Sequence, residues 1–413
     1  MWVLMAIIFG MSIITCLHAL IKSKYNAKLP KGSMGFPILG ETNHFFAPNP
    51  SFDVSPFIKD RVLKYGPIFK TSLVGKPLII STDPDLNYLI FEQEETLFEC
   101  WYPETFKKIF GDQFFGSLHG FMHKYLKNMI VNAFGIECLK SMVSEVEAAA
   151  TTRLRRWASC KVVELKDEIA NVILDLTANK LISYDPENSP ENLRENFVAF
   201  IQGLVSFPLD IPGTAYHKCL RGRKRVMRML ENMLEERQQN PRKQNEEHEG
   251  ILKNRKDKAS GITWNEYKSM TFTFKFLNET LRLANIAPGI FRRALRDVEF
   301  KGITIPAGWG VMVCPPAIHL DPKHYVDPLA FNPWRWERCE GASRHFIAFG
   351  RGLRFCIGAD FAKLQMAVFL HNLVTKYRFK AIGGGNIVRT PGVQFPDGFH
   401  VEIVEKEKKP SKY

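Results

Sequence analysis

The sequence predicts a mainly α-helical protein carrying small β-sheets, and three observations lead there. Amphipathic helical patterns fill most of the stretch from Ser141 to Glu236. A capping-box signature, Thr263-Trp-Asn-Glu266, opens a further helix running to about Leu283. There a threonine and the glutamate three residues on satisfy each other's backbone N–H groups. Strand-like runs are short by comparison. Tyr65 to Ile80 reads as two strands about a Gly-Lys turn, Phe291-Arg-Arg-Ala and Ile303 to Gly308 as strand and turn, and Val393 to Phe399 as a C-terminal hairpin. With 413 residues, 45% of them apolar and 32 of them phenylalanine, the chain can fill a large core around a greasy cavity.

Residues 1–21 form an almost uncharged apolar run whose length suits a bilayer span. Lys22, Lys24, Lys28 and Lys31 follow at once, which keeps that end in the cytosol. A cleaved signal peptide is the competing reading, but its basic residues precede the apolar run and these follow it. Residues 1–21 are therefore expected to be a single-pass transmembrane anchor. Residues 22–40 are a basic, Pro/Gly-rich hinge: Leu29 to Gly40 holds two prolines and three glycines and cannot be a helix. Residues 41–413 make up the remaining domain.

The formal charge of +13 suits an acidic protein partner or the cytoplasmic membrane face. The Lys and Arg residues are spread along the chain without a nucleic-acid motif, so no nucleic acid is expected. Eight cysteines, at 16, 100, 138, 160, 219, 314, 339 and 356, form no C-x-x-C pair. They read as reduced thiols in a cytosol-facing domain.

Residues 95–118 are rich in aromatics without a clean period, as an ordinary core would be. Leu118 to Lys127 then opens a helix. Phe197 to Pro212 interrupts the amphipathic patterns with two prolines and an exposed-looking apolar run. Glu231 to Ser260 is charged, as a solvated helix and linker would be.

The most informative stretch is Phe349-Gly-Arg-Gly-Leu-Arg-Phe-Cys-Ile-Gly358, with a helical pattern beginning at about Ala359. Gly352 and Gly358 bracket Cys356, and Arg354 stands two positions before it. A cysteine at a helix entrance lies near the positive end of the macrodipole, and glycines let backbone N–H groups approach the sulfur. That is what a thiolate ligand to haem iron needs. A buried structural cysteine in a Gly-rich loop is the bland alternative. Upstream, Glu279-Thr-Leu-Arg282 puts Glu279 and Arg282 on one helix face, where most such pairs are surface pairs worth little.

Together these motifs resemble the cytochrome P450 family of haem-thiolate monooxygenases. Phe349 to Gly358 fills F-x-x-G-x-R-x-C-x-G, Glu279 to Arg282 fills E-x-x-R, and Phe331-Asn-Pro-Trp-Arg-Trp336 supplies an arginine, in the family's order and spacing. The resemblance implies the P450 fold, with haem b as cofactor and Cys356 as axial iron ligand. Phe349, Gly352, Arg354 and Gly358 would line the cofactor. Arg292 stands where the family meets a haem propionate, and His123 and Lys127 stand where it has W-x-x-x-R. Lysine brings the charge of an arginine without its fork. Glu279, Arg282 and Arg335 would form a structural cluster. Residues 29–40 resemble the family's proline-rich hinge, residues 95–118 the loop that roofs the pocket, and Phe197 to Pro212 a connection at substrate entry. The last of these is similar to plant members acting on steroids and triterpenoids. The implied partners are NADPH-cytochrome P450 reductase, a lipophilic small-molecule substrate and the endoplasmic reticulum membrane, with the catalytic domain cytosolic.

One family feature is missing from the sequence. A long central helix bearing [AG]-G-x-[DE]-T-T normally lies over the haem, and no such segment stands between Ser141 and Lys275. Glu246 to Leu252 already resembles the helix that follows it. A helix crossing a domain of this size needs on the order of 20–30 residues at 1.5 Å each. The sequence therefore reads as an incomplete P450 fold with an internal deletion near 237–246, and no catalytic residue is identified because the oxygen-activating threonine is absent. The alternative that this raises is a catalytically inactive membrane-bound isoform.

Overall fold

The computed structural model describes residues 28–37, 39–111, 113–182, 184, 193–204, 206, 209–239, 261–337 and 345–406. The anchor expected at 1–21 lies outside the described residues, as do the start of the hinge and most of the expected deletion point. Among the described residues, no helix is long and apolar enough to cross a membrane.

The part of the hinge that is described is docked on the domain. Lys70 donates its N–H to the Lys31 carbonyl at 3.0 Å, Glu41 to Ser72 at 2.8 Å, and Thr304 to Lys28 at 2.7 Å. Gly40 makes this possible. Its φ is +63°, and a Cβ there would lie 2.1 Å from the Ser72 carbonyl oxygen. Short helices α1 (Thr42–Phe45) and α2 (Pro56–Tyr65) follow.

The two strands expected at 65–80 are β1 (Ile68–Leu73) and β2 (Lys76–Ser81). Their turn sits one position earlier than expected, on Val74 and Gly75, both at positive φ, and Lys76 already opens β2. They continue through β8 (Gly310–Val313) and β5 (Ile290–Ala294) to β3 (Phe98–Cys100), in the order β1-β2-β8-β5-β3. β2 and β8 run parallel and the other pairs antiparallel. One face of this sheet packs on α3 (Pro84–Glu92), where Ile79, Leu86, Ile90, Phe98, Ile305 and Val311 exclude water. α3 starts cleanly because the Asp83 carboxylate accepts the N–H groups of Asp85 and Leu86 at 3.0 and 2.9 Å.

Much of the aromatic run at 95–118 forms a ladder. Tyr102, Phe106, Phe110 and Phe114 touch in succession along and beyond α4 (Glu104–Phe110), and Phe110 stacks on Phe200. Helices α5 (Gly120–Ala133), α6 (Ile136–Ala158), α7 (Leu165–Ile182), α8 (Leu193–Leu204) and α9 (Ala215–Gln239) then make up the helical part. Phe197 to Leu204 belongs to α8, a correction to the expectation that this apolar run breaks the helical pattern. Its exposed look is right, since Phe197, Val198 and Ile201 all face out.

The capping box of Thr263 and Glu266 is present and starts α10 (Trp264–Ser269). The single helix expected to Leu283 is in fact two, because Met270 leaves helical geometry at φ −72°, ψ 50° before α11 (Thr271–Ala284) begins. Beyond β5, the hairpin β6 (Val298–Phe300) and β7 (Ile303–Ile305), β8 and the short α12 (Pro315–His319) follow. The chain closes with α13 (Ala359–Lys376), β9 (Tyr377–Gly384), β10 (Val388–Arg389), β11 (Val393–Gln394) and β12 (Phe399–Glu405). The C-terminal hairpin expected at 393–399 is not formed. β11 pairs back to β10, while β12 lies between β9 and β4 (Val163–Glu164).

Helix α13 is the centre of the helical core. Leu364, Ala367 and Val368 are fully buried against Met142, Val143 and Val146 of α6 and Leu277 of α11. At about 1.5–3 kcal/mol per fully buried aliphatic side chain, this layer fixes where the start of α13 points. Substituting Gly40→Ala should lower the thermal unfolding midpoint, by the equivalent of about 1–3 kcal/mol for a strained, clashing residue. An unchanged midpoint would show that the hinge does not need this close approach.

Candidate active site

The loop before α13 is closed by its own backbone. The Cys356 N–H donates to the Phe349 carbonyl at 2.9 Å, Gly350 to Ile347 at 2.9 Å, and Phe355 to Gly352 at 3.0 Å. Gly352 is required here, since its φ is +67° and a Cβ would lie 2.6 Å from the Phe91 carbonyl oxygen on α3. Gly358 serves differently. It is the N-cap of α13 at φ −90°, and nothing lies within 4 Å of where a Cβ would be. Cys356 is a free, exposed thiol at this open entrance, and Leu353 and Phe355 beside it are nearly half exposed.

Four cationic or imidazole side chains named from the sequence gather by this loop. Lys127 donates from Nζ to the Leu353 carbonyl at 2.7 Å, tying α5 to the loop. Arg354 donates from Nη2 to the Leu118 carbonyl at 2.6 Å and lies 3.2 Å from His119 Nδ1. Its Nε is buried, 3.4 Å from Glu94 Oε1, and has no hydrogen-bond partner. Arg292, on β5, ion-pairs through Nε with Glu94 Oε2 and donates from Nη1 to the Phe291 carbonyl at 2.9 Å. His123 is buried on α5 against the Phe115 ring. Burial, with the charges of Arg354 and Lys127, pushes its pKa down to about 4, so the ring is neutral at pH 7.

Two guanidinium groups and an ammonium thus gather at and behind the loop that carries the exposed thiol, and one buried guanidinium nitrogen makes no hydrogen bond. That donor set fits the carboxylates of a large ligand seated on the thiol, as haem requires.

The second cluster lies behind the loop. Arg282 donates to both oxygens of Glu279, from Nε at 2.9 Å and from Nη2 at 2.8 Å, and neither side chain has any exposed surface. Arg335 Nε, the Asn332 N–H and Trp336 Nε1 donate to the same carboxylate at 3.0, 2.9 and 3.1 Å. Burial opposes the charge on Glu279, but the Arg282 hydrogen bonds, the Asn332 N–H and the two arginine charges overcome it and hold its carboxyl below the ordinary value. Arg282 also donates from Nη1 to the His319 carbonyl at 2.8 Å. His319 carries the connection onward: its Nε2 accepts the Ile347 N–H at 3.0 Å, two residues before the cysteine loop begins. Its Nδ1 meets Asn285 Oδ1 at 2.7 Å.

Comparison with known proteins bears on this geometry directly. The family model for cytochrome P450 matches residues 229–395. The chain is similar to cytochrome P450 87A3 of Oryza sativa subsp. japonica, 51% identical over 446 residues and covering 92% of this chain and 87% of that one. It is similar to the beta-amyrin 16-alpha-hydroxylase of Maesa lanceolata, 35% identical and covering 99% of this chain and 100% of that one. The cucurbitadienol 11-hydroxylase of Siraitia grosvenorii is 36% identical, over 93% of this chain and 95% of its own. Among solved structures, the retinoic acid-bound cyanobacterial CYP120A1 superposes with a TM-score of 0.80 at 25% identity, over 92% of this chain and all of its own.

The chain belongs to the cytochrome P450 family. It is a monooxygenase with the mainly helical P450 fold and small sheets, and its cofactor is haem.

Sequence reading missed two residues that organise this P450 site. Glu94 stands in the polar run Glu92-Gln-Glu-Glu95, where nothing separates a buried carboxylate from its solvated neighbours. His319 follows two prolines and an apolar pair, and only the fold reveals that its ring supports Ile347.

His319 also sets a pH dependence. Burial, helped by the Arg282 charge, pushes its pKa down to about 3 from 6.5. The unfolded chain therefore binds more protons between these values, and stability is lost as pH falls through that window. His123, lowered to about 4, adds to the same slope. Unfolding midpoints followed from pH 7 to 4 should fall, and fall less steeply in His319→Gln. Equal slopes in the two proteins would count against a neutral, buried His319.

Proposed function

We propose that this P450 hydroxylates a steroid- or triterpenoid-like substrate, with electrons from NADPH-cytochrome P450 reductase. The observation that carries the reading is the exposed Cys356 thiol before α13, in a loop whose Leu353 carbonyl holds Lys127 and whose Arg354 shares Glu94 with Arg292 and bears on His123. Support for the substrate class comes from the relatives, whose names include hydroxylases of beta-amyrin, cucurbitadienol and cholesterol. The net charge of +13 suits an acidic electron-donor surface.

Cys356 would ligate the haem iron in this reading, and Arg292, Arg354, Lys127 and His123 would hold the haem carboxylates. Phe349, Gly352 and Gly358 keep the loop narrow and the space above the sulfur open. Bound haem would supply the oxygen activation that inserts one oxygen atom into a C–H bond. The protein's share is to hold the sulfur rigidly. Glu279, Arg282 and Arg335 fix the segment that feeds the loop, and His319 fixes Ile347.

The chain also lacks an internal block that its relatives carry. Two observations support this. The match to the Oryza protein extends over 446 residues, more than the 413 of this chain. Helix α5, which leans on the cysteine loop, leaves Phe121, Met122, Tyr125 and Met129 at least half exposed, as expected of a site missing one wall. A catalytically inactive isoform is the alternative that such a loss raises. The Maesa and Siraitia relatives are named as hydroxylases, and they lend it no support.

The reduced carbon-monoxide difference spectrum tests the reading. The full chain should give the thiolate-type band, Cys356→Ser should lose it, and a form with a complete central helix reinstated should oxidise substrate faster. A well-folded chain that takes up no haem would sink the proposal, and equal turnover by the two forms would show that the block is dispensable.

The protein sits, in this reading, in the endoplasmic reticulum membrane through residues 1–21, single-pass, with the catalytic domain in the cytosol. The lysines after the apolar run support the orientation. Exposed Phe197, Val198, Ile201, Leu209 and Ile211 support a second, peripheral contact. Deleting residues 1–21 should release much of the protein from microsomes, and protease added to sealed microsomes should digest the domain. Full protection of the domain would reverse the topology.

A further inference from the structure

We propose that Glu94 is the positioning residue for the two arginines that receive the haem carboxylates, an inference that rests on the haem-thiolate reading above. Glu94 follows α3, and only 1% of its side chain is exposed. Its Oε2 pairs with Arg292 Nε, and its Oε1 accepts the Cys100 N–H at 2.9 Å and faces Arg354 Nε at 3.4 Å. One carboxylate therefore connects β3, β5 and the cysteine loop, and its partner Arg292 lies 198 residues away in the sequence.

The geometry identifies a fixed post and not a stand-in that an incoming carboxylate displaces. The Cys100 N–H belongs to the sheet and pins one oxygen. Arg292 spends Nε on Glu94 and Nη1 on the Phe291 carbonyl, which sets the plane of the guanidinium and directs the rest of its fork.

Charge leads to the same conclusion. Neighbouring acids have other partners first: Glu95 accepts the Gly120 N–H at 2.9 Å and pairs with Lys124 at 3.3 Å, feeling the Arg354 charge only after these, and Glu99 pairs with Arg293. Arg292 and Arg354 thus face a single buried carboxylate. The cluster keeps one positive charge in excess, and Arg354 Nε, 3.4 Å from Glu94, makes no hydrogen bond. A buried site with that excess recruits an anion, and Glu94 keeps the remaining cation in place while it waits.

The test compares haem release from loaded full-length protein to excess apomyoglobin, with Soret-region circular dichroism as a second signal of haem seating. Glu94→Gln should release haem faster by about tenfold or more, the usual scale for removing a group that orients a ligand-holding side chain. Its Soret dichroism should change. Glu41→Gln is the control, since Glu41 is a similarly buried carboxylate paired with Arg61 and Thr71 at the far edge of the sheet. It should lower the unfolding midpoint and leave haem release unaltered.

Because Glu94 acts through Arg292 as well as Arg354, Glu94→Gln added to Arg292→Gln should speed release by less than it does alone. If Glu94→Gln yields no folded protein, Glu94→Asp withdraws the charge by one methylene and should still release haem several-fold faster than the unmutated chain. Release at the unmutated rate from a loaded variant overturns this inference alone. So does acceleration in Glu41→Gln matched to its loss of stability, or multiplication of the two single effects. A chain that never takes up haem overturns the parent reading along with it.

Discussion

A single buried carboxylate, Glu279, is the constraint from which the rest of the structure follows. It accepts five hydrogen bonds, from Arg282, Arg335, Asn332 and Trp336. Removing one partner of such a pair leaves an uncompensated charge without water, at a cost of roughly 3–5 kcal/mol. The cluster therefore forms whole or not at all. Its donors come from α11 and from the segment at 332–336, so satisfying the charge forces those two parts of the chain together. Arg282 then reaches the His319 carbonyl, and the His319 ring reaches Ile347. The cysteine loop is thereby referred to a rigid point over a path of hydrogen bonds, and the sulfur needs no contact with the cluster to be placed by it.

Glu279 and Glu94, both buried carboxylates, divide the work. Glu279 is saturated by donors and adds no capacity for a ligand. Glu94 sits opposite more positive charge than it can neutralise, so its surroundings are incomplete without another anion. The first kind of site makes structure and the second makes a binding site, although the residue types are the same. What separates them is the count of charges within reach.

The sequence made the order of these parts legible because local rules govern them. The capping box, the thiol at the start of α13 and the Glu279–Arg282 spacing are all written within four residues. What it hid was tertiary. Nothing local distinguishes Glu94 from Glu92 and Glu95, or tells that Met270 will break a helix whose capping and apolar pattern both favour continuing. The turn at Val74 and Gly75 was misplaced by one residue for a related reason. Asn-Gly and Asp-Gly mark such turns, whereas a β-branched valine at positive φ is imposed by the pairing of Leu73 with Lys76. The hairpin expected at 393–399 failed because β12 finds two partners, β9 and β4, and two ladders outweigh one.

The open side of the site follows from the same division between local and tertiary order. The cysteine loop is held from behind, by α13, α3 and the Glu279 cluster, and those contacts are complete without anything above the sulfur. Helix α5 is held at its start by Glu95 on the Gly120 N–H and at its middle by Lys127 on the Leu353 carbonyl. Neither contact involves its exposed phenylalanine, tyrosine and methionines. Binding elements on the near side can therefore persist whatever covers the far side. A protein built this way can keep its cysteine loop and its arginines in place even when what faces them changes, because the contacts that hold them lie on the other side.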